Sequence, residues 1–179
     1  MPTVYYATRD GQAQRIAEHI CRKLNDAGRQ AVACNLLPAL PASAELAAAP
    51  LIVLVAAVRY GKHLPEVDRF LATYRTLPTP PPLALASVNL TARKPGKTTS
   101  SGNAYLRKAI ARHQLAPALA VAFAGRLDYR RYSWRDRQII RFIMLLTGGP
   151  TDPDTCIEYT SWDAVEDFAA QIVALQHSH

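Results

Sequence analysis

Leu51-Ile52-Val53-Leu54-Val55-Ala56 constrains the fold more than any other stretch of this chain. An unbroken apolar run of that length, rich in β-branched residues, suits a strand buried on both faces, as in the middle of a parallel sheet. Leu83 to Val88 repeats the pattern, and weaker strand-like runs lie at Thr3–Ala7, Gln30–Leu36 and Pro117–Ala124. Helical spacing fills the gaps. Ala13, Ile16, Ala17, Ile20 and Leu24 mark one buried face, and Gly28 stands at the stop position. Pro65 suits a first helical position before Val67, Phe70, Leu71 and Tyr74. A further helix is expected at Ala104–His113. A last one starts near Ser161, with Thr160 or Ser161 as its cap and Trp162, Val165, Phe168, Ala169, Ile172 and Leu175 on one face. Pro38–Pro50 reads as a loop with a poor helix. Strands alternating with helices require right-handed crossovers, so the expected closure is an α/β, open, doubly wound, five-stranded parallel sheet.

The chain has 179 residues and is 49% hydrophobic, enough for one domain, 1–179, with a sizeable core. Cys21, Cys34 and Cys156 are odd in number and far apart, which argues against a disulfide framework or a zinc site. No metal site is expected; His177 and His179 read as part of a frayed tail. Met1-Pro2-Thr3 lacks the charged start of a secretory signal. The longest apolar run, Leu46 to Val58, contains Pro50 and is shorter than the ~20 residues a membrane span needs. A cytoplasmic protein that does not cross a membrane is expected.

The net charge of +7 is unevenly placed. Arg93 to Arg112 holds six basic residues and no acids, Arg126 to Arg141 holds six arginines against two aspartates, and beyond Arg141 there are six acids and no Lys or Arg. A basic face suits an anionic partner: a lipid surface, a nucleic acid or a carboxylate-bearing substrate. The basic stretch also coincides with a break in the βα alternation. Residues 125–150 read as a basic, aromatic and finally apolar insertion near the last strand-like run, Cys156–Tyr159.

In a doubly wound sheet, ligands bind beyond the carboxyl ends of the strands. Three strand-end loops therefore matter. Thr8-Arg9-Asp10-Gly11-Gln12-Ala13 opens the first helix, where free amides and the helix dipole attract an anion. Its single glycine and the absence of a Gly-Lys-Ser/Thr run favour a monophosphate over a pyrophosphate. Asp10 is an objection unless its side chain turns away and caps the helix start. Ala57-Val58-Arg59-Tyr60-Gly61 offers an aromatic face and a close backbone approach to a flat ring. Ser87-Val88-Asn89-Leu90 offers side chains to a heteroaromatic edge, with Arg93 and Lys94 adding charge. Together they describe a phosphate clamp and a ring slot, the flavodoxin-like arrangement for FMN with strand order 2-1-3-4-5.

These loops, with Ala92-Arg93-Lys94-Pro95, Tyr129-Arg130-Arg131-Tyr132, Trp134, Asp136-Arg137, Ile143-Met144 and Gly148-Gly149, resemble the bacterial flavodoxin-like, quinone-dependent protoporphyrinogen IX dehydrogenases. The resemblance runs from the first strand to the last helix. It implies FMN, oxidation of protoporphyrinogen IX to protoporphyrin IX, and delivery of electrons to menaquinone or ubiquinone. It also implies a cytoplasmic enzyme, peripheral on the inner face of the cell membrane. Asp10 and Ala13 stand where the general flavodoxin loop carries hydroxyls, which implies modest FMN affinity.

Under that reading, Arg126, Arg130, Arg131, Arg135 and Arg137, with Arg93 and Lys94, meet lipid phosphates or the substrate propionates, and Tyr132 and Trp134 lie at interface level. Two placements of Ile139, Ile140 and Phe142–Leu146 are open, against the sheet or at the membrane boundary; the resemblance favours the boundary. His63 is a weak acid–base candidate. A homo-oligomer is left open. The alternatives are a flavodoxin-type electron carrier, which the basic face opposes, or another FMN quinone reductase. Nucleic acid is not expected, since no recognition helix accompanies the arginines.

Overall fold

The computed structural model describes residues 2–177, apart from the side chains of residues 176 and 177; His179 and the His177 side chain thus lie outside the described residues. Five parallel strands form the main sheet: β1 (Thr3–Ala7), β2 (Val32–Asn35), β3 (Ile52–Arg59), β5 (Leu83–Val88) and β6 (Leu119–Phe123). Their order is β2-β1-β3-β5-β6, and a two-residue strand, β4 (Lys62–His63), folds back on the end of β3. Without β4 in the count, this is the order 2-1-3-4-5 that the sequence led us to expect.

β3 is central. Ile52 to Ala57 pair in register with Leu83 to Val88 on one side, and Ile52 to Ala56 with Thr3 to Ala7 on the other. Its side chains alternate between two cores, which is why the whole run is apolar. Val53 and Val55 face α1 (Gln12–Asp26) and α6 (Trp162–His177) with Ile16, Ile20, Phe168 and Ile172. Ile52 and Leu54 face the opposite layer, with Phe70 and Leu71 of α3 (Pro65–Arg75) and Leu106 of α4 (Ala104–Arg112). The Ala/Pro-rich connection carries one short helix, α2 (Ser43–Ala48), pinned by buried Leu46.

Beyond β6 the alternation breaks, as expected. β7 (Arg126–Asp128), a 3-10 turn (Tyr129–Arg131), α5 (Trp134–Thr147) and β8 (Cys156–Glu158) follow. β8 does not extend the main sheet; it pairs antiparallel with β7 as a separate ribbon. Ser133 caps α5 by accepting from the Asp136 N–H, and Gly148, at φ 70°, ends it. Leu127, Tyr129, Tyr132 and Met144 make a small core of their own. α5 buries only Met144, which packs in that cluster.

Candidate functional site

The strand ends and α5 line one open-mouthed cavity. Its polar end is the start of α1. Gly11, at φ 86°, takes the left-handed turn into the helix, and no side chain caps the first turn. α4 and α5, by contrast, use Asn103 and Ser133 as caps. The amides of an uncapped first turn need an acceptor from elsewhere, and Gln12 and Ala13 line the cavity. The first turn holds no acidic residue. Thr8 Oγ1 accepts from the Gly11 N–H at 2.9 Å and holds the loop.

Asp10 does not cap the helix as the sequence reading expects. It pairs with Arg59 at 3.1 Å, which draws its charge toward the β3–β4 turn. Arg9 is exposed, pairs with Glu66 at 3.2 Å and is not on the cavity wall. The Gln12 side chain donates to Glu158 and Thr160, tying the loop to β8 and the start of α6.

Ala57, Val58, Arg59, Tyr60 and Gly61 form the second wall. Tyr60 and Gly61 have φ 51° and 76°, the pair of left-handed residues that a two-residue hairpin favours. The Tyr60 hydroxyl donates to Asp136 of α5, and Arg59 donates to the other oxygen of the same carboxylate at 2.6 Å. These bonds, the Tyr60 one first, hold the Asp136 carboxyl below its usual range. One carboxylate thus ties the roof helix to the hairpin.

Val88, Asn89 and Leu90 line the third wall, together with Thr91 and Arg93. Ser87 does not: it is fully buried and its hydroxyl is already engaged. Ser87 Oγ accepts from Asn89 Nδ2 at 3.0 Å and also hydrogen-bonds His63 Nε2 at 2.8 Å. Asn89 and Asn103 exchange amide bonds at 3.0 and 3.3 Å. Asn89 therefore shapes the wall with both amide hydrogens spent. His63 is also misplaced by the sequence reading, since it faces this internal network and not the cavity. Burial pushes its pKa down to about 4, opposed by the Asp68 carboxylate and assisted by His113. A neutral, inward-facing imidazole is a structural group here.

The roof is α5. Ile140, Ile143, Met144 and Thr147 line the cavity, spaced i, i+3, i+4, i+7 on one helical face. The sequence showed an apolar stretch here without saying which face looks inward, and the opposite face is as apolar: Ile139, Phe142, Leu145 and Leu146 are exposed. The Met144 side chain packs against Gly149, just past the end of α5. Tyr105, Gly125, Arg126 and Tyr132 complete the lining. Tyr105, Thr91 and Gly125 carried no sequence signal. Lys94, Arg130, Arg131, Trp134 and Arg135 are exposed and off the cavity wall, and Arg137 donates to the Tyr129 carbonyl at 3.1 Å.

A cavity joining an uncapped helix start to an apolar, aromatic-edged slot at the sheet's switch point fits a phosphate-bearing planar ligand. A model of the flavodoxin domain matches residues 3–154, and the chain belongs to the flavodoxin family. Crystallographic flavodoxin 1 from Bacillus cereus superposes with a TM-score of 0.58 at 14% identity, covering 97% of each chain. Rubredoxin oxygen:oxidoreductase from Desulfovibrio gigas gives 0.59 at 13% identity, covering 99% of this chain and 36% of that one.

Curated relatives are more specific. The protoporphyrinogen IX dehydrogenase (quinone) of Escherichia coli K12 is 36% identical over 96% of this chain and 94% of its own length. The protein of the same name from Leishmania major is 37% identical over 95% of this chain and 73% of its own. This chain is an oxidoreductase of that group.

Proposed function

We propose that the cavity holds FMN and that the enzyme oxidises protoporphyrinogen IX to protoporphyrin IX, passing the electrons to a membrane quinone such as menaquinone. The observation that carries this reading is the single cavity running from the uncapped start of α1 to the apolar roof of α5. The residues present fit the cofactor. The Thr8 hydroxyl and the amides of Gln12 and Ala13 would receive the phosphate, with Gly11 shaping the turn, and Tyr60–Gly61 and Val88–Leu90 would flank the ring. The bound flavin supplies the hydride-accepting chemistry. The chain's own residues supply position and exclude water: Ile140, Ile143 and Met144 present an apolar wall to the ligand. Tyr132 lines the cavity, and burial raises its pKa to about 12, so it stays protonated through the neutral range. His63 faces away from the cavity and takes no part in proton transfer in this reading.

No helix among the described residues is long and apolar enough to cross a membrane. The outer face of α5 nonetheless exposes Trp134, Phe142, Leu145 and Leu146, with Phe142 62% and Leu146 70% accessible. Exposed Arg130, Arg131 and Arg135 lie at the start of the same helix or just before it. An apolar face beside cations suits shallow insertion into an anionic bilayer, so we assign peripheral attachment at the inner membrane face to α5, within one domain spanning 1–179. Purified protein should be yellow or take up added FMN, and should turn over protoporphyrinogen anaerobically with a menaquinone analogue. Flavin binding without porphyrinogen oxidation would remove the substrate assignment and favour an electron carrier. Failure to sediment with anionic liposomes would remove the membrane assignment.

A further inference from the structure

Three arginines line the cavity: Arg59, Arg93 and Arg126. Two are already neutralised. Arg59 lies 3.1 Å from Asp10 and 2.6 Å from Asp136, and Arg126 lies 3.0 Å from Asp128. Arg93 has no carboxylate within ion-pair distance among the described residues. Its guanidinium instead donates to two main-chain carbonyls, Leu90 at 2.8 Å and Thr147 at 3.4 Å, and lies 6.0 Å from the Tyr159 ring centroid. Two of a guanidinium's five N–H donors are thereby used.

The position of that unpaired cation is informative. Thr147 is the last residue of α5, so the helix's partly negative end holds the guanidinium in place without cancelling a full charge. Ile143, Met144 and Thr147 line the same cavity as Arg93. A half-buried cation beside an apolar wall is unfavourable alone and strongly favourable to a ligand that brings the missing charge. The shape of such a ligand follows: a flat apolar body against α5 and a carboxylate at its edge.

Resting on the function proposed above, we infer that Arg93 is the carboxylate anchor of the substrate subsite, binding one acidic side chain of the macrocycle and excluding macrocycles that lack it. The exposed arginines of residues 130–135, off the cavity wall, do not take this part.

The test compares stable ligands. Protoporphyrin IX and its dimethyl ester differ in carboxylate charge and share the macrocycle. The FMN-loaded wild type should bind the free acid more tightly by roughly tenfold to a hundredfold, the range of a charge-assisted hydrogen-bonded pair. Arg93→Gln should lose that preference while binding the ester and FMN as the wild type does. A merely structural Arg93 would weaken both porphyrins equally, which would overturn the proposal. A preference unchanged in the variant would overturn it too, and lost FMN affinity would reassign Arg93 to the cofactor phosphate. Should Arg93→Gln fail to fold, Arg93→Lys keeps a donor for the Thr147 carbonyl but not the guanidinium fork, and should still lose the preference severalfold. If the wild type binds neither porphyrin, the substrate reading itself falls, a result distinct from any of these.

Discussion

The floor of the cavity is formed by the ends of strands buried on both faces, whereas its roof is one helix that buries a single methionine. The floor inherits its rigidity from two cores that meet across β3. The roof is held by a small satellite core, by Arg93 at its C-terminal end and by Asp136 at its start. The molecule thus separates a part that must keep a ring slot in register from a part that is tied down at few points. A large apolar substrate needs a way in, and the weakly held side is the one that also presents exposed apolar residues.

The largest effect should come from the floor. Leu54→Ala, in the centre of β3, should cost about 2–5 kcal/mol in urea unfolding. Phe142→Ala on the outer face of the roof should cost no more than about 0.5 kcal/mol. A loss from Phe142→Ala comparable to that from Leu54→Ala would mean that the outer face is packed, and the contrast would collapse.

The His63 network is the second measure of the floor. His63 has its pKa lowered from 6.5 to about 4 by burial. It is neutral in both states above pH 6.5, so no penalty applies there. As pH falls from about 6.5 to about 4, the unfolded chain takes up a proton that the folded chain refuses, and stability is lost. The lowering corresponds to roughly 3 kcal/mol. Unfolding followed across this window should show that slope in the wild type and a flatter one in His63→Gln. Parallel profiles would place His63 in a more solvated setting.

Asp136→Asn should act on the roof alone. It weakens the bonds to Arg59 and Tyr60, so protease cleavage within residues 125–150 should speed up severalfold while the urea midpoint barely moves. An unchanged cleavage rate would show that the satellite core is sufficient to hold the helix. The smallest effect is expected at Asp10. Asp10→Asn removes an exposed carboxylate beside the uncapped helix, so stability should hold and flavin affinity should rise about severalfold. A drop in affinity would mean that Asp10 is needed to orient Arg59 toward the ligand.

Much of this was legible in the sequence because it is local. The six-residue run at 51–56 is apolar at every position because its alternate residues face different cores, and periodicity records that directly. A cap at Thr160 or Ser161 was readable as a local pattern, and the structure selects Ser161, whose side chain accepts from the Ala164 N–H at 3.3 Å. The three strand-end loops were also legible, since an open parallel sheet has only one edge where binding groups gather. Ser87 and His63 were misjudged because facing the cavity or the interior depends on how β5 ends beside β4, a matter of a single residue's pleat. α5 was ambiguous because both of its faces are apolar, and no pattern within a helix says which neighbour each face meets.

By itself, the sequence determined the alternation of strands and helices and which strands are buried on both faces, consequences of spacing and burial along a few turns of chain; the expected order of the sheet came with the flavodoxin-like pattern of the strand-end loops. Tertiary structure alone decided the charge partners. Arg59 meets Asp10 across 49 residues and Asp136 across 77, and Arg93 is left without a carboxylate among the described residues. Ion pairs depend on distance in space, and a chain of 21 basic and 14 acidic residues admits too many pairings for their order to reveal which charge stays free.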